Sequence, residues 1–282
     1  MSKRLFRYLL SLLLLALLSS ALAEGEGLLS CRFFDVDKGD AMMIAFPDGA
    51  RVMIDAGTNK SGKMLEKWLR AEKIERLDAL VITHFDKDHV GGADKILKTV
   101  PVSRVVLPGY EKESKQHTQF LKALAESPET ETVILGPREE TVFSFGGADF
   151  RISAAHETDY GRDEENDFSL AGRLTYGETR FFFTGDAENA RQMELLSEGD
   201  VECDVLKVPY HGRAVPASAN FLSACAPKIA WIPDGPEDEA DRGLVQYLEE
   251  KLGAAVYRSA GEGDLVVFSD GKTVWAEEEA GQ

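Results

Sequence analysis

The sequence predicts a single α/β domain in which two β-sheets pack face to face with helices on the outside, an αββα sandwich. Three observations point there. Apolar, strand-like runs arrive in two groups; stretches of helical spacing interleave both groups; and neither an internal repeat nor a Pro/Ser-rich linker divides the 282-residue chain. Periodicity alone carries the reading as far as α/β and one domain, and the motifs below carry it on to the sandwich.

Strands are expected over 30–36, 41–46, 51–54 and 79–83, where alternating or continuous apolar runs are bounded by turn residues. Between the last two, 63–72 has helical spacing. Another helix should start near Gly91, and 115–125 is a third. A β-rich stretch follows, with strands at 132–135, 142–145, 149–154, 169–176 and 180–184. Helix 188–196, strand 204–208, helix 217–224, strand 229–232 and helix 242–251 alternate after it, and strands near Val256, Val266 and Val274 close the chain.

The first residues carry Lys3, Arg4 and Arg7, then a leucine-rich run from Leu9 to Leu18, then Ala21-Leu22-Ala23. This is the pattern of a secretory signal peptide over 1–23. The apolar run is well short of the ~20 residues that span a bilayer, so cleavage is expected rather than anchoring. A single domain over 24–282 would then work outside the cytoplasm, secreted and without a stable membrane anchor. Without the three basic residues of the leader, 29 Lys plus Arg face 49 Asp plus Glu, a net charge near −20. Such a surface repels polyanions and excludes tight nucleic-acid binding unless bound cations or a local basic strip admit the phosphates. Cys31, Cys203 and Cys225 are too few for a disulfide scaffold and are expected as buried thiols. Of two acidic loops, 159–167 and 234–241, the second is expected to be a solvated face.

The chemistry is concentrated in Thr83-His84-Phe85-Asp86-Lys87-Asp88-His89, followed by Gly91-Gly92. Four ligand-type side chains leave one strand end within six residues. Alternate positions on a tight loop point to different sides, so His84 and Asp86 are expected to serve one ion, and Asp88 and His89 a second. Imidazole and carboxylate are donors that zinc, manganese and iron accept. Asp186 and His211 also follow predicted strands and can reach the same sheet edge, while Asp55, at another strand end, suits an acceptor that orients a ligand histidine. Asp35 and Asp40 are expected to shape a flanking loop. His117 is expected on a surface helix without a role, and His156 is not counted as a ligand.

The loop resembles the His-x-His-x-Asp-His signature of the metallo-β-lactamase superfamily, with Asp86 where the second histidine normally stands. Further matches run along the chain: Phe34-Asp35-Val36-Asp37-Lys38-Gly39-Asp40, Met53-Ile54-Asp55-Ala56-Gly57, Asn166-Asp167-Phe168-Ser169-Leu170, Thr184-Gly185-Asp186-Ala187-Glu188, Leu206-Lys207-Val208-Pro209-Tyr210-His211-Gly212 and Ser269-Asp270-Gly271. In that order they are similar to the C-terminal extracytoplasmic domain of ComEC-type competence proteins and their free-standing secreted relatives. The resemblance implies the αββα fold, Asp186 bridging two ions, and His211 completing the second site with Asp88 and His89. It leaves the first site short of a histidine, with Asn166, Asp167 and Ser169 in the corresponding region. Tyr210 replaces the first of two adjacent histidines and Arg213 a serine. Asp37 and Lys38 replace glycine and glutamine, and 236–241 replaces an Asn-x-Tyr-Gly-His-Pro segment. Asn166, Ser169 and Tyr210 are accordingly expected beside the ligands or the substrate.

Two divalent ions, zinc or manganese, would hold and deprotonate a water and polarise the scissile ester, with Asp88 and Asp186 as the catalytic carboxylates. Three carboxylates against two dications leave such a centre about one unit positive, which favours an anionic substrate. The leading expectation is hydrolysis of a phosphodiester in nucleic acid or a cell-wall polymer. Hydrolysis of a carboxylic ester, lactone or lactam is the alternative within the fold, and a secreted binding protein with little turnover is the alternative outside enzymology.

Overall fold

In the computed structural model, which describes residues 27–161 and 165–279, fifteen strands are described and form two sheets. The expected leader at 1–23 lies outside the described residues, as do residues 162–164 of the first acidic loop. Among the described residues no helix is long and apolar enough to cross a membrane.

The strands are β1 (Leu29–Phe33), β2 (Met42–Ala45), β3 (Arg51–Ile54), β4 (Ala79–Val81), β5 (Arg104–Pro108), β6 (Glu131–Leu135), β7 (Glu140–Phe145), β8 (Ala148–Ser153), β9 (Ala171–Tyr176), β10 (Thr179–Phe183), β11 (Val205–Lys207), β12 (Ile229–Ile232), β13 (Ala255–Arg258), β14 (Asp264–Ser269) and β15 (Val274–Glu279). The first sheet has the spatial order β15-β14-β1-β2-β3-β4-β5-β6, and the second β13-β12-β11-β10-β9-β8-β7. Helices α1 (Asn59–Ala71), α2 (Ala93–Thr99) and α3 (Lys115–Ala125) cover the first sheet. Helices α4 (Asn189–Glu198), α5 (Ser218–Cys225) and α6 (Arg242–Gln246, continued by a wider turn over Tyr247–Lys251) cover the second.

The layering follows from side-chain alternation. Ala79 and Val81 of β4 face the other sheet, while Leu80 packs outward against the helices, so the strand is apolar on both sides. Between the sheets, Phe33 meets Phe183 and Trp231 at ring-centroid distances of 6.2 and 5.7 Å. On the outer faces, Leu65, Ile96 and Phe120 cover the first sheet, and Leu195, Phe221 and Leu248 the second. The expected αββα sandwich is the observed architecture.

Three expectations need correction. Strand β5 was not anticipated: its apolar core Val105-Val106-Leu107 lies between Pro101 and Pro108, yet it pairs parallel to β4 and β6. Helix α1 begins four residues before the expected 63. Thr58 caps it by accepting the Ser61 N–H at 3.2 Å while Ser61 Oγ accepts the Thr58 N–H at 3.2 Å, a reciprocal cap that carries the helix back through Lys60. The acidic loop 234–241 is not simply a solvated face: Asp234 is fully buried against Arg258 and accepts the Ala240 N–H. The three cysteines are buried free thiols, and burial pushes Cys31 and Cys203 well above the usual thiol range.

Candidate metal centre

The strands β3 and β4 run parallel, as do β10, β11 and β12, and both groups end at the same edge of the sandwich. Asp55 follows β3, His84 follows β4 by three residues, Asp186 follows β10 and His211 follows β11. The Leu170 N–H donates to Thr83 O at 2.9 Å and ties the sheets together there. Between Thr184 and Asp186 the chain turns at Gly185 with φ +50°, where a Cβ would lie 2.9 Å from the Ser169 side chain and 3.0 Å from that of Thr83. Only glycine fits. Tyr210 and His211 also have positive φ, 51° and 52°, a costly conformation for non-glycine residues that turns the His211 ring inward.

Three imidazoles are buried here with the same division of labour. His89 Nδ1 pairs with Asp55 Oδ2 at 2.9 Å, His211 Nδ1 donates to Pro233 O at 2.7 Å, and His84 Nδ1 lies 3.1 Å from Thr83 Oγ1. Thr83 Oγ1 itself donates to Asp55 Oδ2 at 2.6 Å, so it accepts from His84. Each ring thereby turns its Nε2 into the site, and all three Nε2 atoms are buried without a hydrogen bond. Two of them flank one oxygen, Asp186 Oδ2, which lies 2.7 Å from His211 Nε2 and 3.3 Å from His89 Nε2, misaligned for hydrogen bonding, and His84 belongs to the same donor group. Buried polar atoms this close and unpaired fit a shared cation.

Among the described residues, four groups each bring their ligand atoms within 4.8 Å of one another: His84, His89 and Asp186; Asp88, His89 and His211; Asp40, Asp186 and His211; and Asp40, Asp55 and His89. Burial and the neighbouring His89 push the His84 imidazole well below its ordinary value, which keeps it neutral. Burial acts against a charged His89, but Asp186, Asp40 and Asp55 outweigh it, so metal uptake there displaces a proton. Burial would likewise raise the Asp186 carboxyl, yet His211, His89 and Lys207 hold it well below the usual carboxylate range.

Lys207 and Asp40 are the functional residues that sequence reasoning missed. The Lys207 ammonium is completely buried and lies 2.6 Å from Asp40 Oδ2, 2.7 Å from Gly185 O and 3.2 Å from Asp186 Oδ1. It engages one Asp186 oxygen and leaves the other to the imidazoles. Asp40, expected to shape a loop, is 1% exposed and carries this pair across from the opposite half of the sandwich. The sequence signals were a lysine inside an apolar strand and the place of both residues in the matched segments 34–40 and 206–212.

The remaining expected residues separate clearly. Asp86 is not drawn into the donor groups: its carboxylate pairs with Lys112 at 2.5 Å, and Lys112 also bonds Glu165. Burial works against the Lys112 ammonium, but Asp86 and Glu165 outweigh it and hold it charged. Ser169 Oγ accepts the Asp186 N–H at 3.1 Å and lies 3.5 Å from His84 Nδ1; Asn166 instead donates to Glu188 at 2.8 Å. Asp167 accepts from the Ala190 and Arg191 N–H groups at the start of α4, and burial pushes it up to about 6. Tyr210 lies at the mouth with the Arg213 guanidinium 5.4 Å from its ring. His156 bonds Glu198 at 2.9 Å, outside the donor groups. His117 is buried rather than on the surface and stacks on Phe85 of the histidine loop, with centroids 4.0 Å apart.

The Lys112 pair makes a test of Asp86. In Lys112→Met the carboxylate is released toward His84 and Asp186, and the weaker of two Mn²⁺ sites should tighten on the order of 10-fold, the usual scale for a group acting on a ligand from behind. Calorimetric Mn²⁺ titration reads it; an unchanged weak site means that Asp86 is no ligand.

A family model described as the metallo-beta-lactamase superfamily matches residues 34–233. The chain is similar to ComE operon protein 3 of Bacillus subtilis, with 30% identity over 232 residues, covering 76% of this chain and 29% of that protein. It is also similar to Recombination protein 2 of Haemophilus influenzae, 28% identical over 206 residues, covering 71% of this chain and 24% of that protein. The chain thus spans less than a third of the length of either relative. Among solved structures, the metallo-beta-lactamase fold protein YhfI from Bacillus subtilis superposes with a TM-score of 0.57 at 13% identity, over 88% of this chain and all of YhfI. That likeness concerns the fold.

Proposed function

The chain belongs to the metallo-β-lactamase superfamily, and from that premise we propose that it is an exported, metal-dependent phosphodiesterase acting on nucleic acid or on a wall-polymer phosphodiester. The superfamily consists mostly of metal-dependent hydrolases. The observation that carries the proposal is the approach of the buried Nε2 atoms of His89 and His211 to Asp186 Oδ2, with His84 in the same donor group and Asp88 beside His211.

Zinc or manganese bound there would supply a nucleophile from water at neutral pH and polarise the ester oxygen. The residues divide the work. Asp88, His89 and His211 would hold one ion and His84 with Asp186 would serve the other, while Asp86, now paired with Lys112, is a further candidate ligand beside His84. Asp55, Thr83 and Pro233 O fix the ring orientations, as partners behind a ligand do in metal sites. Lys38 and Lys112 lie against Asp88 and Asp86, and Arg213 stands beside Asp238, which favours an anionic ester over a neutral lactam or lactone in a chain of net charge −17. Similarity to competence-type proteins supports a nucleic-acid substrate, and the leader-like segment 1–23 supports export.

The Mn²⁺- or Zn²⁺-loaded protein should cleave bis(p-nitrophenyl) phosphate or DNA faster than nitrocefin or a simple lactone. Turnover of the lactam or lactone without phosphodiester cleavage, under both metals, would overturn the assignment. No turnover with full metal content would point to a binding protein.

A further inference from the structure

Three charged side chains from separate loops meet at the mouth of the metal centre. Lys38 precedes Gly39, at which a Cβ would lie 2.6 Å from Asp88 O; the loop can therefore close on Asp88, where the Asp40 N–H donates to Asp88 O at 3.1 Å. Lys38 Nζ is 3.9 Å from Asp88 Oδ2 and 3.0 Å from Asp238 Oδ2. Arg213, two residues beyond His211, bonds the other oxygen of Asp238. Two cations share one carboxylate, and all three side chains are about one third exposed. The loop's other structurally engaged acids face elsewhere, Asp234 inward to Arg258 and Asp241 to the Ala214 N–H.

We propose that Lys38 and Arg213 form a subsite for the phosphate next to the scissile one in a nucleic-acid strand, with Asp238 holding the two cations apart from that phosphate's place until it binds. The inference rests on the phosphodiesterase reading. A guanidinium and an ammonium converging on one carboxylate already have the geometry that an oxyanion needs. The surplus positive charge lies one side chain from Asp88, so a substrate phosphate there is continuous with one on the metals. The Tyr210 ring, packed beside Arg213, adds an aromatic face on which a base can stack.

The test is binding of thymidine 3′,5′-bisphosphate and thymidine 5′-monophosphate to the fully metal-loaded protein, by calorimetry. The bisphosphate should bind on the order of tenfold more tightly, the scale of charge-assisted hydrogen bonds to one added anion. In Lys38→Met/Arg213→Met at equal metal content that advantage should vanish, and in Asp238→Asn it should grow. Equal binding of both nucleotides by the unaltered protein, or an advantage that survives the double substitution, would overturn the subsite. Glycerol 1,3-bisphosphate binding more tightly than the nucleotide would overturn its assignment to nucleic acid. Because binding is read without turnover, a failed phosphodiesterase assay and a failed subsite are separate results.

Discussion

Asp186→Ala should lower hydrolysis on the order of 10³-fold, the upper scale for removing a group aimed directly at the reacting centre. Metal content should fall from close to two ions per chain to below one. The reason is geometric: Oδ2 of Asp186 is the atom that two of the imidazoles flank, 2.7 Å from His211 Nε2 and 3.3 Å from His89 Nε2. Without it each ion loses a ligand at once, and three buried imidazoles face one another with no anion between them. His156→Ala is the matched comparison, since His156 is engaged by Glu198 and lies outside every donor group. It should keep its metal. Elemental analysis of the two purified variants, beside steady-state rates on bis(p-nitrophenyl) phosphate, decides the matter; equal metal loss in both would make His156 a ligand.

Lys207→Met should be nearly as damaging by a different route. Its ammonium is the buried counter-charge of Asp40 and Asp186, and breaking such a pair from one side costs roughly 3–5 kcal/mol of stability. Metal affinity should also fall, by about 10–100-fold, because Asp186 Oδ1 is no longer held and the carboxylate can rotate away from the imidazoles. The double variant Lys207→Met/Asp40→Asn separates the two effects. Removing the Asp40 charge relieves the unpaired burial, so urea denaturation should show most of the stability restored. Metal competition titration should still show weak binding, since nothing replaces the contact to Oδ1. Wild-type metal affinity in the double variant would mean that Lys207 serves the fold alone.

These residues also show how far the chain could be read without coordinates. The histidine loop was legible because four ligand-type side chains lie within six residues after an apolar strand, and that is a local fact. Asp55, Asp186 and His211 were legible as polar residues just past strands expected to be buried. The two sheets and the helices outside them were legible from the interleaving of strand and helix periodicities. Strand β5 was not, because three apolar residues between two prolines carry too little pattern until β4 and β6 offer their edges.

What the tertiary structure alone decided is which charges face each other. Asp40, on the loop that leads into β2, and Lys207, at the end of β11, come from opposite halves of the sandwich and are far apart in sequence; packing of the two halves buries both and leaves each as the other's partner. Asp86 has the spacing of a ligand, but a carboxylate on a loop turns to the nearest cation, and only the fold brings Lys112 and Glu165 beside it. The acidic loop 234–241 looked solvated because composition cannot show that Lys38 and Arg213 stand against Asp238. Ligand type and strand position are carried by short stretches of chain, whereas long-range charge pairing depends on the register and closure of both sheets, and no single stretch of this sequence contains that information.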